Sequence, residues 1–376
     1  MNILQLSKFY KPYNGGIESV VSDLAEGLSK YGHVVTVLAT DNANSPKYEI
    51  INSVKVYRAK EWFSFAKVSV APSYFLNVIR NYAKSDVVHI HMPNPLANMA
   101  CLFASFFCKN KCKIIVHWHS DIIKQKRLLM LYGFFVNRLL NKCDKIIVTS
   151  KVYLDYSLQL KKFTSKCLIV PIGIDSLKNS IMDELVNGIK SKYNGKKIVF
   201  ALGRHIYYKG FEYLIEAAGK TNDNVVFILG GQGPDTEKYK KLIIKNKLED
   251  RFFLVGKINE KELASYFKAC DVFCFPSVEK SEAFGVVQLE AMSVGVPVIS
   301  TNICGSGVPW VNKHLTSGLI CEPKSVDSLS QALDQILSDE SLLERLSDGA
   351  LLRYEEIFTK DSMIEMTEKI YKNLRG

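Results

Sequence analysis

No stretch of the 376 residues runs to about 18 uninterrupted apolar side chains, so a membrane-spanning helix is not expected. The opening MNILQLSKFY lacks the charged start, apolar core and small-residue cleavage site of a secretory signal, and the chain is expected to stay in the cytoplasm. There is no block of five or more Lys/Arg, no zinc-finger spacing and no RNP-like aromatic run, which argues against nucleic acid as a partner. Cys108 with Cys112 and Cys270 with Cys274 are separated by three residues rather than two, which speaks against structural zinc. Several of the nine cysteines sit in apolar runs such as VFCFP and read as reduced, buried thiols. The fingerprint G-x-G-x-x-G is missing after the first apolar run, which counts against a dinucleotide cofactor.

What is present is the composition of an ordinary folded protein, 47% apolar and 23% charged, and too long for one core. Two domains are expected. The net charge of +11 is uneven: residues 1–175 hold 23 basic and 11 acidic side chains, and residues 176–376 hold 26 and 27. A basic half beside a neutral one suggests that the first domain meets something anionic, such as a membrane surface or a pyrophosphate-bearing acceptor. Short apolar runs alternate with helical patterns throughout, the signature of parallel sheets covered by helices. Strands are predicted over 2–6, 33–39, 86–90, 113–117, 145–149 and 168–171, then over 197–202, 224–229, 252–255, 271–275, 296–300 and 318–321. The reading is α/β, with two Rossmann-like, doubly wound domains at 1–170 and 197–359. The segment 171–196, which begins PIGID and turns polar, is the expected linker.

Ligands of such sheets bind beyond the carboxyl ends of the strands, and the polar features fall there. Asn14-Gly15-Gly16 follows the first strand and HWHSD ends the fourth; GRHIYYKG and GGQGP follow the first two strands of the second half. Two facing sets of loops imply a cleft. In SEAFGVVQLEAMSVGVP, Glu282 is expected on a loop, where it can accept hydrogen bonds from sugar hydroxyls, and Glu290 on the following helix, where a ribose diol could meet it. Between them the N–H groups of Phe284, Gly285 and Val286 are expected to form the unpaired first turn of that helix, a place for a diphosphate. Arg204 and Lys209 would clamp the same diphosphate as it gains charge. His89, His91, His117 and His119 form two H-x-H pairs; with only Asp121 as a flanking carboxylate, metal is not expected, and His119 is read as lining the cleft. The segment 122–143 mixes basic and apolar residues as a helix lying on an anionic membrane would, or as any helix covering a sheet must.

Taken in order, the Gly15-Gly16 loop, HWHSD, PIGID, GRHIYYKG, GGQGP and SEAFGVVQLEAMSVGVPVIS resemble family 4 glycosyltransferases, retaining enzymes of the two-domain GT-B fold. The resemblance implies that Glu282 meets the donor's sugar hydroxyls, Glu290 the ribose, Arg204 and Lys209 the diphosphate, and Gly16 the leaving phosphate through its backbone. It sets His119 beside the donor sugar, and returns a C-terminal helix, 360–376, to the first domain. It implies glycosyl transfer with retention and no metal or other cofactor, the nucleotide sugar being a co-substrate. GSGVPWVN resembles a variant among bacterial enzymes of surface-polysaccharide synthesis that use GDP-mannose or related donors. With the basic first domain, this suggests a lipid-pyrophosphate-linked glycan acceptor at the inner face of the cytoplasmic membrane. A UDP-sugar donor, an epimerase or hydrolase on the same architecture, and a non-catalytic assembly partner are the alternatives. The four intact residues Arg204, Lys209, Glu282 and Glu290 speak against the last.

Overall fold

Strands such as VVHIHM and VVFILG are buried at every position, the pattern of parallel strands covered on both faces. The computed structural model describes all residues except 14, 42–44, 66–67, 109–111, 122–125 and 376; for 64, 65, 68, 69 and 126–131 only the backbone is described. Residues 1–173 and 360–376 form one unit and 174–359 a second.

The first unit runs β1 (Asn2–Leu6), α1 (Gly16–Lys30), β2 (Val34–Asp41), β3 (Tyr48–Ile51), β4 (Val54–Lys60), β5 (Phe63–Phe65), β6 (Val68–Val70) and α2 (Pro72–Tyr82). It continues through β7 (Val87–Met92), α3 (Pro95–Phe107), β8 (Lys113–Trp118), α4 (Lys126–Lys142), β9 (Lys145–Val148), α5 (Lys151–Tyr156) and β10 (Cys167–Ile169). Eight strands make one sheet in the order β10-β9-β8-β7-β1-β2-β4-β3. All its pairings are parallel except β3 on β4. The antiparallel edge and the β5–β6 hairpin were not predicted.

The second unit runs α6 (Asp183–Lys192), β11 (Lys197–Leu202), α7 (Phe211–Ala218), β12 (Val225–Gly230), α8 (Thr236–Lys245), β13 (Phe252–Gly256), α9 (Glu260–Ala269) and β14 (Val272–Phe275). Then come α10 (Val287–Ser293), β15 (Val298–Thr301), α11 (Val308–Val311), β16 (Gly318–Cys321), α12 (Val326–Ser338) and α13 (Glu340–Ile357). Its sheet, β13-β12-β11-β14-β15-β16, is wholly parallel.

The segment 171–196 is not the linker expected. It carries α6, which packs on α9 through buried Val186 and Ile189. The Met182 N–H donates to Ser265 Oγ at 2.9 Å, and the Ile174 N–H to the Phe358 carbonyl at 3.0 Å. Two apolar residues at i, i+3 are enough to seat a short helix, though too few to stand out in a polar stretch.

The last helix, α14 (Lys360–Arg375), belongs to the first unit and lies on α1. It is fastened by His33 Nε2 to Glu368 Oε1 at 2.8 Å and by Arg375 to Asp86 at 3.3 Å. The Tyr371 hydroxyl bonds to His89 Nδ1 beneath it.

Candidate functional site

In the second unit the loop after β11 and the loop after β14 are pressed together. Gly210 closes the first at φ +70°, and a Cβ there would fall 2.0 Å from the Pro276 carbonyl oxygen. Only glycine fits both demands. The Val278 N–H donates to the Tyr208 carbonyl at 2.8 Å. The GGQGP loop after β12 joins them, because a Cβ on Gly231 would lie 1.9 Å from the Gly203 carbonyl oxygen and the His205 N–H donates to the Gln232 carbonyl at 3.1 Å.

This backbone contact brings Lys209 and Glu282 together, 73 residues apart in sequence. The ammonium donates to Glu282 Oε2 at 2.5 Å, both side chains being mostly buried, and lies 5.0 Å from the Phe275 ring centroid. Ser277 Oγ donates to the same carboxylate oxygen at 3.3 Å, while Ser306 Oγ holds the Glu282 carbonyl at 2.5 Å. Arg204, by contrast, is exposed and has no ion pair among the described residues. Its charge is nonetheless close to the others. The Tyr208 phenol, pushed up chiefly by burial, also feels Lys209, Glu282, Arg204 and Glu279.

Glu282 therefore stands on a loop and Glu290 on a helix, as read from the sequence. The Glu290 carboxyl has no hydrogen-bond or ionic partner among the described residues, and desolvation pushes its pKa up to about 7. The expectation for Phe284, Gly285 and Val286 needs correcting. They do not form the first turn of α10, which starts at Val287 and is only seven residues long. Gly285, at φ +79°, breaks the helical path, and the three N–H groups stand before the helix without backbone acceptors among the described residues. The segment is thus a turn leading into a short helix rather than a helix end.

Sequence reasoning missed the support behind this turn. Phe284 packs near Trp310 and Phe358, and Arg353 lies over both of the latter rings at 5.5 and 5.4 Å. Arg353 also donates to the Trp310 and Val311 carbonyls at 2.6 and 2.9 Å. The Gly307 N–H donates to the Ala283 carbonyl at 2.8 Å, so GSGVPWVN braces the Glu282 loop from behind. Ser277, two residues past β14, was the one legible signal for the support of Glu282.

In the first unit Gly15 caps α1 in extended conformation, and Gly16 opens the helix with nothing within 4 Å of where a Cβ would stand. Asn14 lies outside the described residues, as do residues 122–125 of the basic segment. The four histidines share one sheet face, His91 being in register with His117 and His89 with Gln5. His119, just past β8, is buried and its Nε2 bonds to His91 Nδ1 at 3.0 Å. Burial holds all four imidazoles neutral: the pKa values of His89 and His119 fall to about 3, and those of His91 and His117 lie well below the ordinary 6.5. Ring nitrogens of His89, His91 and His117 come within 4.8 Å of one another. A metal held by an imidazole lies in that ring's plane, yet the His89 and His91 rings are stacked 4.6 Å apart with planes only 16° from parallel.

The model of glycosyl transferases group 1 matches residues 184–353, and that of Glycosyltransferase Family 4 matches residues 14–176. The chain belongs to the family 4 glycosyltransferases. Among the relatives of this glycosyltransferase, the O-antigen chain mannosyltransferase C of Escherichia coli is 29% identical, with 100% of this chain and 99% of that one covered. The D-rhamnosyltransferase WbpZ of Pseudomonas aeruginosa is 28% identical, over 95% and 92%. Solved structures agree in fold. HepE of Anabaena, in complex with UDP, superposes with a TM-score of 0.81 at 18% identity, over 99% of this chain and 100% of that one. Sucrose-phosphate synthase of Thermosynechococcus elongatus gives 0.78 at 19%, over 99% and 98%. The two α/β units are those of the GT-B fold.

Proposed function

We propose that this glycosyltransferase acts with retention and without a metal, moving a hexose, from GDP-mannose in the favoured reading, to a lipid-pyrophosphate-linked glycan. The setting would be bacterial O-antigen, capsule or exopolysaccharide synthesis, with the enzyme working from the cytoplasm at the inner face of the membrane. One observation carries the reading: Lys209 neutralises Glu282 where the loops after β11 and β14 meet, while among the described residues Arg204 has no ion pair and the Glu290 carboxyl no hydrogen-bond partner. The names of the two relatives support a hexose and a surface polysaccharide.

In this reading Glu290 accepts hydrogen bonds from the ribose hydroxyls. The diphosphate is drawn to Arg204, to Lys209 and to the free N–H groups of Phe284, Gly285 and Val286. As it arrives, Lys209 exchanges Glu282 for phosphate, and Glu282 is released to accept from the sugar hydroxyls. The bond from the anomeric carbon to the diphosphate oxygen breaks with its electron pair going to that oxygen. Arg204 and Lys209 take up the new charge, the task a divalent cation would otherwise perform. The acceptor oxygen bonds to the anomeric carbon from the same face and its proton passes to the departing diphosphate. From the first unit the proposal takes the Gly16 N–H for the leaving phosphate and His119, neutral by burial, for the donor sugar.

A UDP-sugar donor is the second reading, favoured by the UDP complex of HepE. Thermal unfolding with GDP, UDP, ADP and dTDP, each with and without EDTA, separates the two. A ligand at a hundredfold excess over its dissociation constant adds about 2.7 kcal/mol. One base is expected to raise the midpoint, equally with EDTA present. A rise that EDTA removes would end the metal-free reading, and no rise with any base would end the donor-site assignment.

A further inference from the structure

Helices α2, α3 and α4 lie side by side on the first unit, α3 touching both of the others and the hairpin strand β6. None of the three contains an Asp or Glu. Between Glu61 and Asp144 the sequence holds 11 Lys/Arg and only two acidic residues, Asp86 and Asp121. Both are engaged elsewhere. Asp86 accepts from the Asn2 N–H at 2.7 Å and pairs with Arg375, and Asp121 accepts from Trp118 Nε1 at 3.0 Å and Ser157 Oγ at 2.7 Å.

The outer side of this layer is apolar as well as basic. On α3, Ala97, Ala100, Cys101 and Ala104 face the core, as the helical pattern requires. The opposite stripe, Met99, Phe103 and Phe106 at i, i+4 and i+7, ought to be polar on a helix facing water. Instead Phe106 is 83% exposed and Phe107 beside it 61%. Phe134 of α4 is 62% exposed with Arg138 over its ring at 5.9 Å, and Leu76 of α2 and Trp62 before the hairpin are exposed too. Ring contacts join Phe75, Phe103, Phe106 and Phe107 into one cluster, with Phe134 on the neighbouring helix, and exposed aromatics so grouped mark a binding surface.

The geometry points to this α2–α3–α4 face as the surface that docks on an anionic lipid bilayer, with the Phe106, Phe107 and Phe134 rings entering the interface. The inference rests on the functional reading above and names the face through which a lipid-linked acceptor would be met. The occupant follows from the two properties together. Exposed aromatic rings on helices that together carry basic and no acidic residues match a surface that is apolar within and negative at its rim, which describes anionic phospholipid. The whole first unit has the same bias, with 27 basic against 13 acidic residues, whereas the second has 22 against 25.

Flotation of the full chain with phosphatidylcholine vesicles, alone or with roughly 30% phosphatidylglycerol, tests the assignment. Wild type is expected to float with the anionic vesicles, less so at high salt. The triple variant Phe106→Ser, Phe107→Ser, Phe134→Ser should partition at least about tenfold more weakly, and Arg138→Glu should lose binding only on the anionic vesicles. Phe106→Asp alone is the fallback should the triple variant fail to fold. A nucleotide-induced rise in the unfolding midpoint, retained in these variants, keeps the donor site separate from the outcome. The proposal is overturned if wild type floats with neither vesicle, if the variants float as wild type does, or if they change only the oligomeric state.

Discussion

Replacing Glu290 with Gln removes from beside the turn at Gly285 a desolvated carboxyl that has no partner among the described residues, and the effect of doing so depends on pH in a calculable way. Its folded pKa is raised from 4.5 to about 7 by desolvation. The folded protein therefore holds a proton at pH 5 to 7 that the unfolded chain has released. Below about pH 4.5 both states are neutral and there is no penalty. As pH rises to about 7 the penalty grows, and above that it is complete. At about 1.4 kcal/mol per tenfold it amounts to about 3 kcal/mol. Glu290→Gln should thus leave stability nearly unchanged at pH 4.5 and raise it at pH 8, by roughly 5 to 10 °C in the midpoint of the second unit. The comparison must be the difference between the two proteins at each pH, since the histidine stack works in the opposite direction. Nucleotide should bind the variant more weakly, because the amide offers one acceptor where the carboxylate offers two. Calorimetric scans of both proteins between pH 4.5 and 8 would decide. Parallel midpoint curves would refute the reasoning, because they would mean that Glu290 is ionised and solvated.

Three other outcomes are expected. Lys209→Ala should lower kcat about a hundredfold to a thousandfold in a donor-hydrolysis or transfer assay, and also cost stability by leaving Glu282 unpaired, whereas Arg204→Ala should weaken nucleotide binding without moving the midpoint. Gly210→Ala, set against the Pro276 carbonyl at positive φ, should cost several kcal/mol and show as a large fall in midpoint or in soluble yield. The first unit should lose stability as pH falls below about 6.5, because the unfolded chain then binds protons that His89, His91, His117 and His119 refuse when buried; His117→Phe should flatten that limb in acid unfolding followed by circular dichroism.

The central strands were legible because a strand covered on both faces must be apolar at nearly every position, as β7 and β12 are. The edge was not. β3 alternates exposed and half-buried residues and β4 mixes buried and open ones over a short span with Lys55 and Arg58 among them, and Arg58 is kept inside by bonds to Glu49 and to the Pro46 and Lys11 carbonyls. The carboxylates of the Glu-x7-Glu segment were placed correctly because loop and helix were both written locally, Gly285 marking the change of path. What no local pattern carries is the partner of each group. Lys209 finds Glu282 only because Gly210 lets two loops touch, and Arg353 reaches Trp310 only because α13 lies behind the turn at Gly285. The histidines showed a similar limit: two H-x-H pairs reveal that four imidazoles share a face, whereas parallel stacking follows from the register of β7 on β8.

Helix α14 closes the first unit although 186 residues of the second unit are made before it. At a synthesis rate of roughly 5 to 20 residues per second, the His89 imidazole waits about 10 to 40 s for the Tyr371 hydroxyl that bonds to it. During that interval the first unit lacks the helix that lies on α1, and chains halted at Thr359 should be cut by protease in that unit more readily than chains that carry α14. The order of the fold thus sets the sealing of the first unit after the making of the second, because the sixteen residues of α14 that complete it are translated after Thr359.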